Sequence, residues 1–246
     1  SFIDVQAASK ALQIPITTEY KVADNIEAEI VKKINTENYD FLLVGAGVSM
    51  NQDELMKENS LLDRIPWLDK LTTKRSILYP GTLIRDKTRY FIENSNCSVG
   101  IFVNRDFIGI TSLLIVLSEE PDVFLLRYAR RIMRDNAAVT IQILDMNKMD
   151  GRVESVTKGI QVLNEQFGSR VKVSKITRLH SGYLERFSFL IISYQTWESL
   201  IEADVQALKD IPSTLIINKR TSRFSKSKRK GVLSETPDPE DDNIEV

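Results

Sequence analysis

Residues 94–117, NSNCSVGIFVNRDFIGITSLLIVL, constrain the fold of this chain more than any other stretch. Two apolar runs, Ser98 to Val103 and Ile108 to Val116, flank the polar step Asn104-Arg105-Asp106. Runs this short and this rich in Val and Ile read as buried strands rather than helices. The sequence before the first run and the sequence after the second follow the same strand-and-helix plan. The polar step therefore reads as a seam between two α/β units.

Upstream of the seam, Phe2, Val5, Ala8 and Leu12 fall at helical spacing, so the sequence opens inside an amphipathic helix with no strand or cap before it. Ile14-Pro15-Ile16 breaks that pattern, and Ile16 to Val22 alternates as a strand would. Asp24 or Asn25 can cap a helix carrying Ile26, Ile30, Val31 and Ile34 on one face. Phe41 to Val44 then reads as a short buried strand ending in Gly45-Ala46-Gly47. The long polar segment 48–80 has its own apolar residues, Leu61, Leu62, Ile65, Trp67 and Leu68. These either pack back on their own unit or form a partner-binding flap. Gly81-Thr82 opens the helix that leads back to the seam.

Downstream, Thr111 to Leu117 predicts a strand, and Ser118-Glu119-Glu120-Pro121 a helix start capped by the serine, with the helix reaching about Arg134. Val139 to Leu144 is a strand, Val153 to Phe167 a helix closed by Gly168, and Val171 to Ile176 a strand. Thr177 to Arg186 leaves room for a turn or two of helix. Phe187 to Ile192 is a strand, Ser199 to Leu208 a helix, and Ser213 to Ile217 the last strand. Alternation of this kind gives open parallel sheets with crossover helices. The second unit is then complete with five strands, and the first lacks its first strands. The expected organisation is a partial unit over 1–105, a complete unit over 106–218, and a tail over 219–246 that is basic, then acidic, and reads as disordered.

The totals exclude several functions. With a net charge of −1, the whole chain makes no electrostatic case for nucleic acid, so any such case is local. One cysteine, Cys97, precludes an internal disulfide and suits a reducing compartment. No apolar run approaches the ~20 residues needed to cross a bilayer. His180 stands alone without a partnered nucleophile, and no paired carboxylates at constrained spacing or metal-ligand cluster occur, so the reading is non-enzymatic.

Two groups of residues suggest binding. Gly45 and Gly47 sit at the carboxyl end of a strand, where open α/β sheets bind nucleotides and glycines let backbone amides approach phosphate. A plain strand-to-loop turn would carry the same glycines. Arg127, Arg130, Arg131 and Arg134 share one helix face and could hold an anion or an anionic partner. An ordinary solvated helix face has the same pattern.

The segment NSNCSVGIFVNR, Asn94 to Arg105, resembles the "NAPCSVGI-V-R" stretch in the cytosolic carboxyl-terminal region of monovalent cation/proton antiporters, the sodium or potassium/proton exchangers. Arg127-Tyr128-Ala129-Arg130-Arg131-Ile132-Met133 is similar to the "A-Y-A-W-R-M" helix that follows it there. The resemblance implies two universal-stress-protein-like units in tandem, each an open, Rossmann-like parallel sheet of strand order 3-2-1-4-5. It also implies a regulatory domain at the cytoplasmic face of the membrane, acting through effector binding or dimerisation.

The partners so implied are the transmembrane antiporter domain of the same polypeptide, a second copy of the chain, and anionic lipid met by residues 219–230. No specific nucleic acid is expected. Many universal stress proteins bind ATP through a "G-x2-G-x9-G-[ST]" loop. Here Gly45 and Gly47 would open it, and Gly81 and Thr82 close it, but the spacing departs from the pattern. The second unit's strand ends Ile192-Ser193-Tyr194 with no glycine, so no nucleotide is expected there. The resemblance thus implies no cofactor, with ATP or another adenine nucleotide as the alternative. A free-standing universal-stress-type nucleotide-binding protein is the second reading. An enzyme of the related adenine-nucleotide hydrolase-like group is the third.

Overall fold

A computed structural model describes residues 6–7, 9–11, 13–46, 86–204, 208 and 210–220. Their strands form one seven-stranded sheet. In chain order the elements are α1 (Ile26–Thr36), β1 (Phe41–Gly45), α2 (Asp86–Asn94), β2 (Ser98–Val103) and β3 (Ser112–Leu117). A 3-10 turn (Glu120–Phe124) leads into α3 (Leu125–Asp135), followed by β4 (Thr140–Asp145), α4 (Glu154–Phe167) and β5 (Val171–Val173). The chain then forms α5 (Ser181–Leu184), β6 (Phe189–Ser193), α6 (Tyr194–Asp204) and β7 (Ser213–Asn218).

The strand order is β1-β2-β7-β6-β3-β4-β5. Counted within the second unit this is 3-2-1-4-5, with β3 first and central, as the universal-stress-protein-like reading requires. All pairings are parallel except β2 with β7. The fold is therefore an α/β fold of Rossmann-like units sharing one mostly parallel sheet. Parallel strands covered on both faces are apolar throughout. β3 (SLLIVL) has five buried residues in a row, and β6 (FLIIS) is buried at every position.

The β2–β7 pair is the seam. Ile101 faces Ile216 at its middle, and β1 flanks β2 as β6 flanks β7. The halves are thus related by an internal two-fold in which Phe41 corresponds to Phe189, Leu43 to Ile191 and Ser98 to Ser213. Ile191 is wholly buried because β3 and its helix lie beside it, while Leu43 on the outermost strand is 59% exposed.

Two cores flank the sheet. On one face α3 and α4 bring Leu125, Ala129, Met133, Val156, Ile160 and Leu163 onto Leu113, Ile115, Leu117 and Ile191. On the other, Trp197 of α6 packs with Ile101, Leu114, Val116, Leu190 and Ile216. A smaller cluster of Val31, Phe91 and Val99 joins α1 and α2 to β2. Between the units, Phe107 N–H donates to Asn104 Oδ1 at 2.9 Å, and its ring packs against Phe102 and Phe189. The polar step is thereby fixed against both units. Cys97 is buried, and burial pushes its thiol above the ordinary range. An aromatic disulfide reagent is expected to modify it at least about tenfold more slowly in the native protein than in denaturant. Equal rates would contradict this packing.

Several sequence expectations need correction. Residues 14–23 form no strand: Ile16, Tyr20 and Val22 are exposed, and the segment is held against α1 by Lys21–Glu29 and Lys33–Glu19 ion pairs instead. Alternation alone does not make a strand unless the segment pairs with a neighbour, and this one pairs with no strand of the sheet. Helix α1 does start as expected, with Asn25 Oδ1 accepting from Ala28 N–H at 2.9 Å. Glu119, not Ser118, is the N-cap before α3, in a reciprocal capping box with Asp122. β5 stops at Val173, and α6 begins at Tyr194, five residues before the apolar spacing suggests. Segment 48–80 and tail 221–246 lie outside the described residues, as does most of the opening helix. No helix among the described residues is long and apolar enough to cross a membrane.

Candidate functional site

In an open α/β sheet the ligand crevice lies where strand order reverses, beyond the carboxyl ends of the two strands at the switch. Here that point falls between β3, whose helices α3 and α4 cover one face, and β6, whose helix α6 covers the other. Asp122 follows β3 and is 3% exposed. Its Oδ2 accepts from Ser118 N–H at 2.8 Å, from Glu119 N–H at 3.0 Å and from Thr196 Oγ1 at 2.8 Å.

On the β6 side there is no loop, since α6 starts at the residue after Ser193. Ser193 Oγ accepts from Thr196 N–H at 3.2 Å, satisfying one of the free donors at the helix start. One amide of the α6 start and two amides after β3 are therefore engaged by the chain's own Ser193 and Asp122. A buried carboxylate at this position also repels an anion. Nearby, Asp145 at the end of β4 is 5% exposed: its Oδ2 accepts from Asp150 N–H at 2.7 Å, and its Oδ1 has no partner.

Tyr194 borders the crevice and donates to Glu198 Oε1 at 2.7 Å. Burial first, and the Glu198 hydrogen bond second, push its phenol up to about 12. The unfolded value is about 10. The neutral phenol thus contributes stability that is fully present below about pH 10 and is lost as pH rises through about 12. The difference between phenolate absorbance titrations of the wild type and Tyr194→Phe should place its midpoint near 12. A midpoint near 10 would contradict the contact.

The glycines of the first unit are only partly placed. Gly45 ends β1 and corresponds to Ser193 across the seam. A Cβ there would meet nothing within 4 Å, so no close approach requires glycine. Gly47, Gly81 and Thr82 lie outside the described residues.

The arginine face separates into two parts. Arg127 and Arg130 line a groove of about 110 Å³ between α3 and α4, together with Lys219. Arg131 and Arg134 are exposed outside it, Arg134 paired with Asp135. Arg130 Nε donates to the Gln166 amide oxygen at 2.7 Å, and Lys219 Nζ sits 5.6 Å from the Phe124 ring centre. Lys219 was readable only as the start of a basic tail. Its place beside α3 follows from the position of β7 in the sheet. His180 is exposed, its ring 5.8 Å from that of Tyr183. Among the described residues no cluster of His, Cys, Asp and Glu could hold a metal ion.

No family model and no curated protein matches this chain. Among solved structures it is similar to a universal stress protein from Archaeoglobus fulgidus DSM 4304, at 15% identity and a TM-score of 0.43. The match covers 90% of this chain and 75% of that one.

Proposed function

We propose that this chain is a non-catalytic regulatory domain of a monovalent cation/proton antiporter, carried on the cytoplasmic face of the membrane beside the transport helices of the same polypeptide. The observation that carries this reading is the seam. The antiporter-like segment Asn94 to Arg105 supplies β2, the strand through which the two units share one sheet. A strand shared in this way is a route by which a change in one unit could bias the other, as a domain that shifts a transporter between two positions requires. At the switch-point crevice Asp122 and Ser193 are both engaged by backbone N–H groups of the chain itself, which fits a structural role for these two side chains. Dimerisation, and lipid contact through residues 219–230, belong to the same proposal.

The test is cation-driven proton exchange in everted vesicles containing the full polypeptide, with and without residues 1–246. The expected result is exchange that survives deletion with an altered pH or cation dependence. A polypeptide that exchanges nothing, or a deletion with no effect on dependence, overturns the proposal. The strand order 3-2-1-4-5 fits equally the second reading, a free-standing universal-stress-type nucleotide-binding protein. Thermal-shift titration with ATP separates the two. The antiporter reading expects no shift at millimolar ATP, whereas a saturable rise of several degrees selects the second.

A further inference from the structure

We propose that the groove between α3 and α4 binds a single-chain anionic amphiphile, an alkyl chain ending in a phosphate or carboxylate. This inference does not depend on the antiporter reading. The floor is apolar: Val123 and Leu126 come from the α3 side, and Val162 and Leu163 from α4. Gly159, also in the lining, lets α4 pack closely on the α3 side, since a Cβ there would lie 2.7 Å from Leu126 Cδ1. The rim is cationic. Arg127, Arg130 and Lys219 line the groove, and no carboxylate does.

Their charges are left uncompensated. Arg130 is held by a neutral amide and Lys219 lies over an aromatic ring, while Arg127 has no ion pair among the described residues. The nearest acid named by a contact to the lining is Glu120, which accepts from Ser155 Oγ at 2.8 Å and is turned to that hydroxyl. The size selects the ligand further. About 110 Å³ is well below the ~300 Å³ of sites that enclose a drug-sized ligand, so the slot itself holds a short apolar stretch of a ligand. Three cations around an apolar slot exclude a metal ion and favour a head bearing negative charge. One chain end in one slot also fits a dissolved amphiphile better than a bilayer surface, which needs a broad plane.

The test is calorimetric titration of the 246-residue chain with decyl phosphate below its micellar concentration. Decyltrimethylammonium serves as the same tail with the opposite charge, and inorganic phosphate as the head alone. The expected result is one decyl phosphate per chain, with both controls at least about tenfold weaker. Replacing both rim arginines, Arg127→Ala with Arg130→Ala, should weaken binding at least about tenfold and leave the melting temperature unchanged, because both side chains are exposed. Val162→Phe, which fills the slot from its wall, should abolish binding. If Val162→Phe fails to fold, the arginine pair alone decides. Equal affinity for the cationic amphiphile overturns the proposal, as does affinity unchanged in the arginine variant. Binding to anionic vesicles with none to monomeric decyl phosphate also overturns it and assigns the face to membranes.

Discussion

Asp122→Ala should lower the stability of the folded chain by about 2–4 kcal/mol in a urea titration, with the slope unchanged. The carboxylate is buried, and one of its oxygens accepts three hydrogen bonds. Removing it leaves two backbone N–H groups and the Thr196 hydroxyl facing a cavity, each losing a partner in a site that water reaches poorly. Thr196→Val removes one of the three and should cost about 1–2 kcal/mol. The double variant should fall short of the sum, because the two side chains share one bond. Asp122→Asn can keep its oxygen where all three donors point and gives up only the charge, so it should cost less than Asp122→Ala. A loss below about 1 kcal/mol for Asp122→Ala would mean that water fills the crevice and that the chain's own side chains do not close it.

Gly100→Val should destabilise by about 3 kcal/mol and loosen β1 from β2. Gly100 sits in β2 opposite Leu43, and the Phe41 ring lies across it. A Cβ at Gly100 would come within 2.5 Å of Phe41 Cζ and 3.2 Å of Leu215 Cδ1. The Phe41 ring would have to swing out, giving up its contact with Tyr128 at 5.9 Å between ring centres. Gly100→Ala should do less than valine, whose branched carbon adds a second clash. Pairing Gly100→Val with Phe41→Leu tests the cause, since a smaller side chain at residue 41 should recover a third or more of the loss. No recovery would place the strain elsewhere, on the Leu215 side. Either way, hydrogen exchange of the β1 amides reads the loosening directly.

These two residues mark what could and could not be read in the amino-acid order. The strands of the second unit were legible because parallel strands covered on both faces are unbroken apolar runs, as in Leu113 to Leu117 and Phe189 to Ile192. The glycine of NCSVGI was visible, but its reason was not, because Phe41 is brought over Gly100 only by sheet pairing. Asp122 looked like one more acid in a helix's first turn. Its third partner, Thr196, lies far along the chain, and no local pattern joins them. The start of α6 is not marked by apolar spacing, because its first turn is fixed by Ser193 as a cap. The alternation of Ile16 to Val22 misled for the opposite reason, a local pattern that pairs with no strand of the sheet. Lys219 joined Arg127 and Arg130 through tertiary structure alone.

The seam also sets a schedule for synthesis. β2 leaves the ribosome long before its antiparallel partner, because all of the second unit intervenes and β7 is the last strand of the sheet. At ordinary elongation rates the inner edge of β2 stays unpaired for about ten seconds. During that interval Val99, Ile101 and Val103 lie on a strand that any extended chain could join. The β2–β7 pairing can therefore form only after residue 213 has been synthesised. Conditions that slow translation between residues 104 and 213 should raise the share of aggregated chains, whatever the stability of the finished protein.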